Sequence, residues 1–124
     1  MAALLAACSS FSSKQTDKLV KDPEGLPTES HLNVPFVKQK DYHCGPATLS
    51  MAMTYLGNTK TPEQLAQDIF QKNLKGTFQA DMLSSARREG YLTLTVSNVE
   101  QLLREVSDGH PVIVFQNLGL GWWP

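Results

Sequence analysis

Apolar residues recur along the middle of the chain at the spacing of helix faces. Between Gly45 and Leu56 they fall at positions i, i+3, i+4 and i+7, which predicts one helix. A second helix is predicted from Thr61, which opens a Thr-Pro-Glu-Gln capping box. A third is predicted between Gly76 and Gly90. The residues predicted to be buried by these three helices are Leu49, Ala52, Met53, Leu56, Leu65, Ala66, Ile69, Phe70, Phe78, Met82, Leu83 and Ala86.

Two strands are predicted after these helices. Residues 91–96 alternate, with Leu92, Leu94 and Val96 on one side, and residues 111–115 form an apolar run expected to be buried on both faces. Between them, Ser97 opens another predicted capping box and a helix whose predicted buried face is Val99, Leu102, Leu103 and Val106. Early helices and late strands are typical of the α+β class. We therefore predict a helical N-terminal part packed on an antiparallel sheet. The sheet is expected to be incomplete, because only two strands are predicted for it.

Composition narrows the class of protein without naming a function. The chain has 124 residues, 41% of them hydrophobic and 19% charged, which suits one ordinary globular domain. A net charge of −1 gives no electrostatic reason to expect a nucleic-acid partner. Two cysteines outside any Cys-x-x-Cys pattern and three scattered histidines predict neither a disulfide framework nor a metal site. No cofactor is predicted.

The N-terminus carries a second pattern. Small apolar residues precede Cys8 and a serine-rich stretch follows it, and this resembles the lipobox of bacterial lipoproteins. The resemblance implies cleavage before Cys8, lipid on its sulfur and amino group, and export to the membrane surface on the periplasmic side. The segment is short and lacks Lys or Arg, so we interpret residues 1–8 as a truncated signal and 9–30 as a flexible tether. The alternative is an N-terminal tail without a signal.

Cys44 is the strongest candidate for chemistry. It lies where an extended segment, residues 32–37, gives way to the first predicted helix. Free N–H groups and the dipole at a helix start favour a thiolate, as do Lys38 and Lys40 nearby. The amide of Gln39 is placed to donate to an oxyanion beside that sulfur. The alternative is an inert buried thiol that packs like a small apolar side chain.

The residues around Cys44 point to a family. After Val34-Pro35-Phe36, the set Gln39, Cys44, Gly45, Pro46 and Ala47 resembles papain-like cysteine peptidases of the bacteriocin-processing (double-glycine) type, in their stand-alone C39-like branch. The turn at residues 109–111, before the last predicted strand, also resembles this branch, and the resemblance covers residues 32–123. It implies a papain-like domain over residues 31–124, with Cys44 as nucleophile, Gln39 in the oxyanion hole and a peptide or protein as substrate.

One part of the family pattern is not found in this sequence. The family's general base is a histidine after the last predicted strand, with an Asp or Asn behind it, and the sequence stops first, at Pro124. We give His31, His43 and His110 little weight as substitutes. We therefore expect a domain without its C-terminal part, inactive or impaired as a peptidase. Two alternatives stay open, namely a non-catalytic peptide-binding module and an acyltransferase or isopeptidase on the same fold.

Overall fold

The computed structural model describes residues 3–7, 13–23 and 25–115. Cys8 and residues 116–124 therefore lie outside the described residues. The elements in chain order are β1 (Ala3–Ala7), α1 (Ser13–Lys21), α2 (Cys44–Tyr55), α3 (Pro62–Ile69), α4 (Gln79–Arg88), β2 (Leu92–Val96), α5 (Val99–Ser107) and β3 (Val112–Val114). This mixture of helices and strands agrees with the predicted α+β class. Helix α1 lies within the stretch predicted to be a tether.

The three central helices pack around one apolar core. Helix α2 carries no charged residue and is buried along much of its length, whereas α3 and α4 each bury one face. Thr61 caps α3 through the predicted reciprocal capping box, and Gln64 supplies its second half. The buried cluster comprises Leu49, Ala52, Met53, Leu65, Ile69, Met82, Ala86 and Ile113. The core therefore joins the predicted helix faces to β3 of the sheet.

The sheet differs from the antiparallel one predicted. Its order is β2-β1-β3, and β1 runs parallel to both neighbours. The physical reason is α5, because a helix that crosses over between two strands brings the second back in the direction of the first. Among the described residues, antiparallel pairing is confined to one bridge between Gln71 and Gly76.

The two faces of the sheet are covered unequally. Ile113 faces the helical core, while Val96 and Val112 lie on the opposite face, where Leu102 of α5 packs against them. On that second face Leu94 and Val114 are 41% and 39% exposed, so burial of residues 111–115 on both faces was predicted wrongly. The short helix α5 covers one end of this face and leaves the rest exposed.

Two further sequence predictions need correction. Phe78 was expected in the core but is exposed, since it is the N-cap of α4 rather than a member of its buried face. Helix α5 is capped by Asn98, not Ser97, and the Asn98 side chain accepts from the backbone N–H of Gln101. The Gln101 side chain reaches back to the Ser97 amide, so the cap is shifted by one residue.

One ion pair ties the loop after α2 to the end of α4. Lys60 lies 2.5 Å from Glu89, which also accepts from Asn58. The hydrogen bond from Lys60 holds the pKa of Glu89 below its usual value. A carboxylate whose pKa is lower in the folded than in the unfolded state stabilises the fold. The stabilisation is complete at pH values above the pKa of the unfolded state, and it is lost as pH falls through the pKa of the folded state.

We therefore expect Glu89→Gln to lower the melting temperature at neutral pH and to have a progressively smaller effect as pH falls through the acidic range. Thermal unfolding of both chains at several pH values, followed by circular dichroism, measures this difference. Glu29→Gln, at an exposed position in the segment before α2, is the matched control and should show no such pH dependence. A difference in melting temperature between Glu89→Gln and the unmodified chain that does not shrink as pH falls would contradict the assignment.

Candidate functional site

Cys44 is the first residue of α2, after the N-cap His43. It is a free cysteine and is exposed to solvent. The first bond of the helix runs from the Ala47 amide to the His43 carbonyl at 3.0 Å. Within the described residues the amides of Cys44 and Gly45 have no partner, and Pro46 has no N–H to pair. The thiol therefore lies beside two unpaired amide donors at the positive end of a helix dipole.

A tight turn sets the entry into α2. The Lys40 carbonyl accepts from the His43 amide at 3.0 Å, and Tyr42 within the turn has a φ of 63°. Left-handed backbone is unfavourable for a residue with a bulky side chain, by about 1–2 kcal/mol. The ammonium of Lys75 lies 5.3 Å from the centre of the Tyr42 ring, a cation–π contact that helps hold this conformation. The residues just before the thiol are thus held in a costly, well-defined turn.

His43 is adjacent to Cys44 in sequence but is engaged elsewhere. Its ring stacks on Phe70 with centroids 4.2 Å apart. Its Nδ1 lies 2.7 Å from the Asp41 carbonyl, and since a carbonyl only accepts, Nδ1 carries the hydrogen. These two contacts fix the ring at the junction of the turn, α2 and the residue after α3.

Gln39 lies in the exposed segment that leads into this turn. The next residue, Lys40, anchors the segment through an ion pair of 3.2 Å with Glu63 in the first turn of α3. The pKa of Glu63 is lowered, first by a hydrogen bond from its own backbone amide and then by Lys40. Gln39 therefore precedes the start of α2 by a short stretch of chain, and no hydrogen bond within the described residues joins it to Cys44.

A cavity of about 340 Å³ opens along α2, and Cys44 is not among the residues that line it. Thr48, one turn further along, lines this cavity and donates its hydroxyl to the Cys44 carbonyl at 2.8 Å. Met51 continues the wall on α2, and residues 111–114 form the wall opposite. The cavity has the size of a small-ligand or short-peptide site.

The histidines are distributed around this site without completing it. His31 lines the cavity, while His110 lies 2.7 Å from the carboxylate of Glu105 and is held there. Within the part of the chain that the structure describes, no histidine hydrogen bonds to the Cys44 sulfur. The nucleophile candidate and its helix start are therefore in place, and a general base is not among the contacts described.

A close approach between Gly45 and Thr77, behind the thiol, was not predicted from the sequence. A Cβ placed on Gly45 would lie 2.6 Å from Cβ and 2.8 Å from Oγ1 of Thr77, so only glycine fits there. The Thr77 hydroxyl is buried and has no partner among the described residues. A glycine in the first turn of a predicted helix was the available signal, since it lowers helix propensity and marks close approach. The contact with Thr77 thus limits how closely the N-terminus of α2 packs against the segment before α4.

The part of the chain that the structure describes contains neither a metal-binding cluster nor a helix able to span a membrane. No three His, Cys, Asp or Glu side chains come together in a geometry that holds a metal ion. No helix there is long and apolar enough to cross a bilayer.

The chain matches a known protein family. A family model described as "Peptidase_C39 like family" matches residues 31–121, which contain α2 through β3 and the whole site around Cys44. No curated protein and no solved structure matches the chain.

Proposed function

Because the chain belongs to the C39-like peptidase family, we propose that it is a papain-like cysteine peptidase in which Cys44 is the nucleophile. The observation that carries this proposal is the position of an exposed free thiol at the first residue of α2, beside unpaired amides. An exposed thiol is accessible to substrate, which argues against an inert buried cysteine. The likeness to bacteriocin-processing peptidases suggests a peptide or protein as substrate.

The proposed reaction proceeds through a thioester. The Cys44 thiolate attacks the carbonyl carbon of the substrate, and the carbonyl oxygen becomes an oxyanion. The Cys44 amide and the carboxamide of Gln39 donate to this oxyanion. Collapse of the tetrahedral intermediate expels the leaving group and forms the acyl-enzyme, which water then hydrolyses to a carboxylate and the regenerated thiol.

Release of an amine is the demanding step in this scheme. The leaving nitrogen needs a proton, which a histidine supplies in peptidases of this kind. The contacts described for His43 and His110 involve Nδ1, and no hydrogen bond within the described residues joins a histidine to the Cys44 sulfur. We therefore infer that these residues form the acyl-enzyme readily from an activated ester, whose leaving group needs no proton, and cleave amides slowly.

A burst experiment tests this inference. The chain carrying Cys8→Ser, so that Cys44 is the single thiol, is mixed with a short peptide nitrophenyl ester at neutral pH. The expected result is a saturable burst of nitrophenolate and one acyl adduct on Cys44 by intact mass spectrometry. Cys44→Ala in the same background should give no burst. Acylation no faster than that of a free thiol such as glutathione, without saturation, would exclude the peptidase assignment.

A second candidate is a peptide-binding module without catalysis. The observation that favours it is the lack of a histidine contact to the Cys44 sulfur within the described residues. In that case the cavity along α2 would hold peptides while Cys44 stayed unreactive. The burst experiment separates the two, because a binder would show saturable peptide binding with no covalent adduct.

For the N-terminus we propose lipid attachment at Cys8 and export to the cell envelope. The support is the sequence pattern of small apolar residues, cysteine and a serine-rich stretch. With a positively charged lead and a longer apolar stretch supplied before residue 1, expression in a bacterial host should yield a chain that starts at a lipidated Cys8, seen by mass spectrometry of the membrane fraction. Cys8→Ser should keep residues 1–7 and leave the membrane fraction, and an unprocessed, unlipidated chain with native Cys8 would refute the proposal.

A further inference from the structure

Strand β1 occupies the centre of the sheet although it belongs to the N-terminal segment. Its five residues pair in register with Leu92–Val96 of β2, and Leu5–Ala7 pair with Val112–Val114 of β3. Strands β2 and β3 are neighbours of β1 and not of each other. With neighbouring strands about 4.8 Å apart, β2 and β3 flank a gap of roughly two strand spacings that holds one extended segment.

The strands on both sides of this gap are fixed by the rest of the domain. Ile113 of β3 belongs to the core cluster of the helices, and Thr93 of β2 is buried and accepts from the Arg87 side chain of α4 at 2.6 Å. Helix α5 joins the two strands and packs Leu102 on Val96 and Val112. The walls of the gap therefore depend on α2, α4 and α5 and not on covalent continuity with β1.

Removal of β1 would leave unpaired backbone groups along both walls. A buried N–H or C=O without a partner costs free energy comparable to a lost hydrogen bond, and exposed strand edges readily recruit another strand. The facing positions are Leu92, Thr93, Leu94, Thr95, Val96, Val112, Ile113 and Val114, all uncharged. A segment that fills the gap must accordingly be extended and free of proline, and it must be uncharged where it faces the helical core.

We propose that the space between β2 and β3 is a binding site for an extended peptide strand of small aliphatic residues, filled in the intact chain by Ala3–Ala7. Such recognition works by strand addition, in which main-chain hydrogen bonds supply affinity and the flanking side chains supply selectivity. The occupant runs parallel to β2 and β3. The open form of the site rests on the cleavage before Cys8 proposed above, which would free the space for a peptide from another molecule. This site is separate from the Cys44 thiol and does not depend on its chemistry.

A shortened chain tests the proposal. It begins at position 8 and carries Cys8→Ser, and the probe is a synthetic peptide with the sequence of residues 1–7 and a charged solubilising tail. Hydrogen exchange measured by mass spectrometry should show that the peptide slows exchange of Leu92–Val96 and Val112–Val114 by about tenfold or more. The full-length chain should show this protection without peptide and should not bind it. A control peptide with Leu5→Pro should have no effect on either chain.

The strand-binding proposal and the peptidase assignment can fail independently of each other. The strand-binding proposal would be overturned if the shortened chain folds and its β2 and β3 are protected from exchange without peptide. It would also be overturned if the shortened chain dimerises through the gap and does not bind the peptide. If the shortened chain does not fold alone, it is refolded with each peptide, and recovery of its helical circular dichroism signal with the native sequence only is the supporting result. No recovery with either peptide counts against the site. Failure of Cys44 acylation with intact strand binding would remove the peptidase assignment alone.

Discussion

Gln39→Ala is expected to slow acylation of Cys44 by an activated peptide ester by about 100- to 1,000-fold, the usual cost of losing one oxyanion donor. The Cys44 amide would remain as the other donor, so acylation should be slowed rather than abolished. The ion pair between Lys40 and Glu63 and the turn that follows hold the segment without help from the Gln39 side chain. Folding should therefore be unaffected. The measurement is the first-order rate of the nitrophenolate burst at saturating ester.

Alkylation by iodoacetamide provides the internal control for Gln39→Ala. This displacement at a saturated carbon forms no oxyanion, so its rate should match that of the unmodified chain. Gln67→Ala, at an exposed position on α3, is the matched glutamine control and should leave both rates unchanged. Equal slowing of the burst and of alkylation would show that Gln39 acts on the thiol itself and not on the oxyanion.

Gly45→Ala is expected to destabilise the domain and to disturb the start of α2. Alanine is the better helix former by about 1 kcal/mol, but its Cβ would collide with Thr77, and overpacking of this kind costs about 1–3 kcal/mol. We expect the steric term to win because two heavy atoms of Thr77 lie within 3 Å of the new carbon and one of them is its branched Cβ. The melting temperature should fall by several degrees, and the Cys44 burst should fall with it.

Two further variants isolate the cause of the Gly45→Ala effect. Gly76→Ala places a Cβ no nearer than 3.7 Å to another atom, so it should be tolerated. Thr77→Gly removes every atom that the new methyl group meets, and the double variant should therefore recover much of the loss relative to Thr77→Gly alone. Absence of any coupling in this double-mutant cycle would show that the contact with Thr77 is not the cause.

The helices could be predicted because local signals agree with their packing. Helix α3 has a proline and a reciprocal cap at its start, and α2 and α4 end where glycines follow. Leu49, Met53 and Leu65, predicted at helix faces, are fully buried. The position of Cys44 at a helix start was predicted for the same reason and is confirmed, whereas the oxyanion role of Gln39 stays a prediction.

The sheet could not be predicted from local pattern alone. Periodicity identifies Leu92–Val96 and Val112–Val114 as strands, but it does not show which segment lies between them. The occupant, Ala3–Ala7, comes from the opposite end of the sequence, and the sequence analysis assigned those residues to a signal. The contact between Gly45 and Thr77 was missed for the same reason, because it joins residues that are distant in sequence.

The central position of β1 places folding and secretion in competition. On the proposed export route, residues 3–7 belong to the signal sequence that the translocation channel must recognise. In the folded domain the same backbone lies between two strands of the sheet. A newly made chain that folds before it reaches the channel would bury this part of its signal sequence and remain in the cytoplasm. Delivery would then depend on how soon a chaperone or channel captures the nascent polypeptide, and mutations that accelerate folding would reduce secretion while improving stability.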